Sequence, residues 1–338
     1  MKIKQIVFTK INTAELIEKD SLPIGEYDVA VKTSFSTISC GTEKANITGN
    51  PSVNAANPIP CVSFPRMLGY SSSGIVNEKG SKVDSVEIGD RVTVFCGFHQ
   101  SIQVVSHKNV IKIDDDISLN EAAIGFISTF PLAAVRKTHL EIGESCIVMG
   151  LGTLGQLAVM FARASGAYPV IAVDPLEKRR SQAIKNGADY AFSPFDSDFV
   201  NKVKDITGGG VNTGIEVTGL GAGLDGILDC MAPLGRVSLL GCTRSSDFTI
   251  DYYRKVHFPG IQLIGAHTNA RPINESYPGY FTHEDDIKST LRLCKGGRIN
   301  LKDVIEEIHS PQNCHEVYTR LINEPDFPTF VQFDWSMM

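Results

Sequence analysis

A glycine-rich turn that joins a short apolar strand to an amphipathic helix admits few architectures, and this chain contains one. Residues 146–149 (Cys-Ile-Val-Met) form an apolar run leading directly into Gly150-Leu151-Gly152-Thr153-Leu154-Gly155, and Leu154 to Ala164 then repeats apolar residues at helical spacing. Each glycine has its own task in such a unit. Gly150 permits the tight turn. Gly152 lets the backbone approach a pyrophosphate, and Gly155, where the helix is expected to open, lets helix and strand pack closely. The first N–H groups of the helix lack intrahelical acceptors and carry the positive end of its dipole, which suits an anion. Gly150, Gly152, Thr153, Leu154 and Gly155 are therefore predicted to hold the diphosphate of a dinucleotide.

A ribose partner is expected at the end of the next strand, about 20 residues on. Asp174 closes Val170-Ile171-Ala172-Val173. Its carboxylate accepts hydrogen bonds from ribose hydroxyls and repels a 2′-phosphate, so the expected cofactor is NAD. Arg179 and Arg180 are the basic groups that a phosphate would seek. They lie a turn or more into a helix expected over 175–186, with Pro175 at its first position, and Arg179 is counted with the cofactor residues. Residues 214–217, 236–240 and 261–264 read as further buried strands with helical stretches between them. That alternation predicts an α/β fold with a doubly wound parallel sheet, whose ligands lie at the carboxyl ends of the strands. Thr218, Gly241, Cys242 and Thr243 sit at two such ends and are predicted to face the cofactor.

The first third has a different rhythm. Residues 2–8, 27–33, 69–78, 89–95 and 102–105 read as closely spaced strands, and 47–65, rich in Pro, Asn and Ser, as an irregular loop. A compact β-rich domain, a distorted barrel, is expected. Ser118 and Glu121, at capping-box spacing, mark the change. From about His267 the alternation lapses into a polar loop over 269–286, a helix over 286–294 and a closing strand over 331–333. A length of 338 residues suits two domains. The net charge of −6 argues against a nucleic-acid partner. No apolar run reaches the roughly 18 residues that span a bilayer, and the first ten residues lack a signal-peptide core, so a cytoplasmic location is expected. The eight cysteines form no CxxC pair and predict neither a disulfide framework nor a closed structural zinc site.

With these residues placed, the chain resembles the medium-chain dehydrogenase/reductase superfamily, in its zinc alcohol dehydrogenase-like group. The resemblance rests on Thr37-Ile38-Ser39-Cys40-Gly41-Thr42-Glu43, Leu68-Gly69-Tyr70-Ser71-Ser72-Ser73-Gly74, Gly89-Asp90-Arg91-Val92 and the glycine turn, in that order, and spans nearly the whole chain. It implies a GroES-like β-barrel catalytic domain built from 1–124 and 268–338. It also implies a Rossmann dinucleotide-binding domain over 125–267, with catalysis in the cleft. Thr129 joins the cofactor residues. A homodimer paired through edge strands of the cofactor domains is implied too, with Val237 to Leu240 as the apolar candidate.

The departures from that pattern carry the chemistry. Zinc-dependent members frame the metal with a Cys, a His-Glu pair and a later Cys or Glu. Here Cys40 keeps the first position, Gly-His-Glu reads Gly69-Tyr70-Ser71, and the third position falls near Gly125. Catalytic zinc takes about three protein ligands, so no metal is expected. A displaced site of Cys96 and His99 with Cys40 or Glu43 is the rescue that spacing leaves open. Hydride chemistry belongs to the nicotinamide; the protein must supply a proton and polarise the substrate oxygen. The candidates are Thr42, which matches the relay hydroxyl of the family, Tyr70 at the former ligand position, His99, which titrates in a useful range, and Glu43, which can orient Tyr70 or His99. The plain alternatives are that Tyr70 fills space left by the metal and that His99 is a surface or satisfied core residue.

The segment His267-Thr268-Asn269-Ala270-Arg271-Pro272, with Tyr280, His283, Asp285 and Asp286, is dense in hydrogen-bonding groups and suggests a polyol or sugar-like substrate. The leading function is NAD-linked interconversion of a secondary alcohol and a ketone. Two rivals stand beside it: a zinc-free, NADPH-dependent reductase of an activated C=C bond, which Asp174 disfavours, and a non-catalytic nucleotide-binding regulatory protein that kept the fold after losing the metal.

Overall fold

The computed structural model describes residues 2–54, 61–246 and 248–338. Residues 55–60 of the expected loop over 47–65 lie outside them. In chain order the elements open with β1 (Lys2–Lys10), β2 (Thr13–Asp20), β3 (Asp28–Thr37), α1 (Cys40–Ile47), β4 (Ser71–Lys79), β5 (Arg91–Phe95), β6 (Ile102–Ser106), β7 (Val110–Lys112) and α2 (Leu119–Ala122). They continue with α3 (Gly125–Lys137), β8 (Cys146–Met149), α4 (Thr153–Ala164), β9 (Val170–Val173), α5 (Glu177–Lys185), β10 (Tyr190–Phe192), α6 (Phe199–Thr207), β11 (Val211–Glu216), α7 (Gly221–Cys230), β12 (Met231–Leu239) and β13 (Gln262–Gly265). The chain closes with α8 (His283–Lys295), β14 (Glu307–His309), α9 (Cys314–Asn323) and β15 (Val331–Asp334). Two compact units result: Met1–Ile127 with Ile287–Met338, and Ser128–Asp286. The boundaries fall at 127/128 and 286/287, against the 124/125 and 267/268 expected. Residues 268–286 group with the second unit because Arg271 and Asp286 bond to Thr129 and Arg136 of α3. Among the described residues no helix is long and apolar enough to cross a membrane.

The first unit is β-rich. β1 and β2 form an antiparallel ribbon, and a larger sheet runs β14-β15-β3-β4-β5-β7, with β6 also on β3. Period-two alternation sends Val29 and Val31 of β3 inward against Val76, Val92 and Val94. Irregularities between Ala30 and Val31 and between Thr33 and Phe35 break the register with β4 and bend the sheet. The expected capping box is present at α2, with the Ser118 side chain accepting from the Glu121 N–H. A second apolar cluster joins both chain ends, with Ile6, Phe8 and Ile38 against Tyr318, Phe333 and Trp335.

The second unit has one sheet in the order β10-β9-β8-β11-β12-β13, parallel throughout. Its strands are short apolar runs because helices cover both faces, and Ile147, Ile171, Val173, Val203, Ile227 and Val237 pack together. Strand order reverses between β8 and β11, the place where such sheets receive ligands. Several boundaries differ from the sequence reading. α4 opens at Thr153 rather than Gly155, with Gly152 as its N-cap. α5 opens at Glu177 after the cap Leu176, so Pro175 precedes the helix. α8 opens at His283, which puts His283, Asp285 and Asp286 in a first helical turn rather than a loop. Val237 to Leu240 is no sheet edge: β12 pairs with β11 on one side and β13 on the other, and β13 is the edge.

Candidate active site

In the second unit the glycine turn follows β8 directly. Gly150 has φ +95°, a left-handed backbone that L side chains rarely adopt. A Cβ on Gly155 would lie 1.9 Å from the Gly150 carbonyl oxygen, so helix and turn touch backbone to backbone. Gly152 is the opposite case, with nothing within 4 Å of where its Cβ would stand. It caps α4 without a side-chain hydrogen bond. An open cradle bordered by the first N–H groups of a helix fits a diphosphate. Thr153 is buried in the first turn and Leu154 half-buried beside it.

Asp174, 3% exposed, ends β9. The Leu151 N–H donates to its Oδ2 at 2.8 Å and the Leu176 N–H to its Oδ1 at 2.9 Å. Arg179 Nη1 lies 3.8 Å from the same carboxylate, and Arg180 donates to the carbonyls of Asp174 and Pro175, each at 2.8 Å. The acid thus ties the glycine turn to the start of α5, with both arginines gathered at the strand end.

Glu216, which sequence reasoning passed over, does the equivalent at β11. It is 2% exposed and accepts from the Thr218 N–H at 2.7 Å, the Thr218 hydroxyl and the Gly219 N–H. Burial raises its pKa against the lowering effect of those bonds. Its carbonyl accepts the Gly241 N–H at 2.8 Å, and a Cβ on Gly241 would lie 2.2 Å from the Gly219 nitrogen. Thr218 and Gly241 are therefore neighbours, followed by exposed Cys242 and Thr243. A signal was present: Gly214-Ile215-Glu216 ends an apolar strand on an acid, as Asp174 does. Thr129 is buried in α3, its hydroxyl 2.9 Å from His283 Nδ1 and its carbonyl accepting from Arg271.

The polar groups of 267–286 are largely committed to the protein itself. Asp286, 0% exposed, takes Arg136 on Oδ1 at 2.9 Å and Arg271 on Oδ2 at 3.0 Å. Arg271 also donates to the Thr268 carbonyl, and Lys137 to the carbonyls of Gly265 and Ala270. Asp285 accepts from Ser276 and Thr282. The density of polar residues here builds the loop.

In the first unit Glu43, His99 and Tyr70 come together and Thr42 sits half-buried beside them on α1. Gly69, φ +105°, makes room: a Cβ there would lie 2.2 Å from the His99 nitrogen. His99 is 1% exposed, its Nδ1 2.7 Å from Ser36 Oγ and its Nε2 3.2 Å from Glu43 Oε2. Ser36 Oγ accepts from Trp335 Nε1 at 2.9 Å. Glu43 also accepts from the Ser39 N–H at 2.8 Å and the Tyr318 hydroxyl at 2.5 Å. Half-buried Tyr70 stands edge-on to Phe126, and its hydroxyl lies 2.5 Å from Ser39 Oγ.

Comparison with known proteins meets this geometry. The Zinc-binding dehydrogenase family profile matches residues 153–282. L-Threonine 3-dehydrogenase of Pyrococcus horikoshii is 30% identical over 321 residues, covering 86% of this chain and 87% of that protein. The chain belongs to the medium-chain dehydrogenase/reductase superfamily, among its zinc-type alcohol dehydrogenase-like oxidoreductases. D-Guloside 3-dehydrogenase of Escherichia coli is 25% identical over 340 residues, 95% of this chain and 97% of that one. The crystal structure of 2R,3R-butanediol dehydrogenase from Bacillus subtilis shares the fold with a TM-score of 0.82 at 20% identity, over 98% of this chain and 99% of the other.

Membership in this zinc-type group raises the question of the metal, and the residues present do not fit one. The Cys40 thiol lies 3.6 and 3.7 Å from the carbonyl oxygens of Pro328 and Thr329. Tyr70 meets Ser39, and Gly125 brings no ligand atom; a Cβ there would be 3.2 Å from Thr93 Oγ1. The displaced alternative fares no better. Both ring nitrogens of His99 are engaged in the core, while Cys96 is exposed with φ +60°. Among the described residues no three His, Cys, Asp or Glu side chains group so as to hold an ion.

Proposed function

We propose that this oxidoreductase interconverts a secondary alcohol and a ketone on a polyol or sugar-like molecule, with NAD(H) as the redox partner and without catalytic zinc. Asp174 carries the reading. A 2′-phosphate brought to the end of β9 would meet a buried carboxylate already hydrogen-bonded to the diphosphate turn, which favours NAD over NADP. When bound, the nicotinamide supplies the hydride chemistry. The turn Gly150–Gly155 is assigned to the diphosphate, Arg179 to the adenosine side, and Thr129, Thr218, Gly241, Cys242 and Thr243 to the remaining border.

Proton handling is assigned to Tyr70, a half-buried residue at the position that corresponds to a zinc ligand in the family. Thr42 is the second hydroxyl. Glu43 and His99, buried, act through what they hold and are positioning residues. The sugar-like substrate is supported by the relative named for D-guloside, since the polar loop offers fewer unoccupied groups than its composition suggests. A homodimer, paired through the edge strand β13, and a cytoplasmic location complete the reading.

Fluorescence titration tests the cofactor: NADH is expected to bind at least about tenfold more tightly than NADPH, and the reverse order would revive the C=C reductase. Elemental analysis of protein purified without added zinc is expected to find well under one equivalent; one tightly held ion per chain overturns the zinc-free reading. Turnover is sought with L-threonine, 2,3-butanediol and methyl D-guloside. Inactivity on all three and on a wider polyol panel, with tight NADH binding, would point to the regulatory alternative.

A further inference from the structure

The buried carboxylate that closes β11 holds more than its own strand. Glu216 Oε1 accepts from the Thr218 N–H at 2.7 Å and from the Thr218 hydroxyl, and the Gly219 N–H lies 3.2 and 3.1 Å from Oε1 and Oε2. The Thr218 hydroxyl, its one proton given to Glu216, accepts from the Leu220 N–H at 3.0 Å, at the cap of α7. The Glu216 carbonyl takes the Leu240 and Gly241 N–H groups that follow β12, at 2.9 and 2.8 Å. One residue thus fixes the ends of β11 and β12 and the start of α7, all within the second unit. Glycines make room for it. A Cβ on Gly241 would lie 2.8 Å from Glu216 Oε2, and one on Gly223 of α7 would lie 3.0 Å from Glu216 Oε1 and 2.2 Å from Thr218 Oγ1. A Cβ on Gly150 would lie 2.9 Å from Thr218 Cγ2, so the held loop leans on the glycine turn.

Strand order decides which half of a dinucleotide such a loop would meet. Asp174 follows β9, the glycine turn follows β8, and β11 and β12 lie on the other side of β8 from β9. A dinucleotide with its diphosphate on the turn and its adenosine at Asp174 lays its second half over the ends of β11 and β12. We propose that Glu216 is the positioning residue for that half: its carboxylate holds Thr218, Gly219 and Gly241 in the arrangement that receives the nicotinamide riboside, while the adenosine end is set separately by Asp174. The proposal rests on the reading of NAD(H) at the glycine turn. The carboxylate matters because both of its oxygens are acceptors and every group it meets here is a donor. In Glu216→Gln one oxygen becomes an NH2. At the Oε1 place it faces the Thr218 N–H, and at the Oε2 place the Gly219 N–H. Either orientation sets donor against donor inside a buried site, and the loop must shift to relieve it.

Titration calorimetry of the full chain with two ligands tests this. NADH carries both halves; ADP carries the adenosine and the diphosphate but no second riboside. The wild type is expected to bind both. Glu216→Gln is expected to weaken NADH about tenfold and to leave ADP within about twofold. Gly223→Ala, whose methyl displaces the Thr218 hydroxyl from the α7 side, is expected to give the same split, and it decides alone if Glu216→Gln does not fold. Unchanged NADH affinity in a folded variant overturns the proposal. So does a loss shared equally by NADH and ADP, which marks general damage to the unit rather than a misplaced loop. A wild type that binds neither ligand would overturn the NAD(H) reading itself, a result separate from any difference between variants.

Discussion

The turn proposed for a diphosphate and the positions that correspond to zinc ligands in this superfamily are both places for charged groups, yet they are written in different materials. The turn is backbone: two glycines are required by a left-handed φ and by a 1.9 Å approach, and a third leaves space. The metal position is side chain: it depends on what projects from residues 40, 70 and 125. Backbone sites resist drift, because almost any substitution at Gly150 or Gly155 disturbs the strand and helix beside it. Side-chain sites can be rewritten one residue at a time under an intact fold. On the proposed zinc-free reading, that is how a chain can keep the glycine turn while carrying Tyr70 and Gly125 at the corresponding ligand positions.

Gly-to-Ala exchanges sharpen this comparison. Gly155→Ala is expected to have the largest effect, a loss of about 3–4 kcal/mol seen in thermal melts together with loss of NADH binding, since its methyl meets a carbonyl oxygen. A soluble variant with a wild-type melt would break the distinction. A side chain in the second unit tests the other direction. Burial, and secondarily Arg271, pulls the His283 pKa from 6.5 to about 3. Between those values the unfolded chain binds a proton that the folded chain refuses, so stability is full above pH 6.5 and falls as pH drops. Discounted for its half-buried position, the loss by pH 4 is about 2 kcal/mol. Urea midpoints measured against pH should flatten over this window in His283→Gln.

Gly152→Ala comes next. Its methyl enters open space, so the melt is expected to stay put while NADH binding weakens about tenfold, or ~1.4 kcal/mol. Equal NADH affinity would remove Gly152 from the cradle. Gly125→Ala is expected to do least, under about 0.5 kcal/mol by melt, because its methyl needs only a small yield from Thr93. A large loss there would mean that the former ligand position is as constrained as the turn.

The same division explains what could be read in advance. The turn, Asp174 and the Ser118–Glu121 capping box are local patterns, each complete within a few residues or one strand. Strand order is not local, so Val237 to Leu240 passed for an edge until β13 was seen beside it. The Glu43 group was half legible: its acid and imidazole came from motifs, but Tyr318 lies 275 residues from Glu43, and no pattern around it announces a hydrogen bond. His99 was left between surface, core and catalysis because burial is set by Ser36, Gly69 and Phe333, not by its neighbours in sequence. The polar loop misled for the opposite reason. Its composition was read correctly, but Arg136, Lys137 and Thr129, distant in sequence, consume its hydrogen-bonding capacity.

The pairing of β3 with β15 has a consequence for synthesis. Ser36 and Thr37 find Trp335 and Gln332 across separations of 299 and 295 residues. On the ribosome, the inner face of the first unit must wait until residues 331–335 have been made, while every strand of the parallel sheet, the last of which ends at Gly265, has been made well before. The nascent chain thus carries an unfinished β-rich unit from the synthesis of β3 until that of β15, the interval in which holdase chaperones have most to protect.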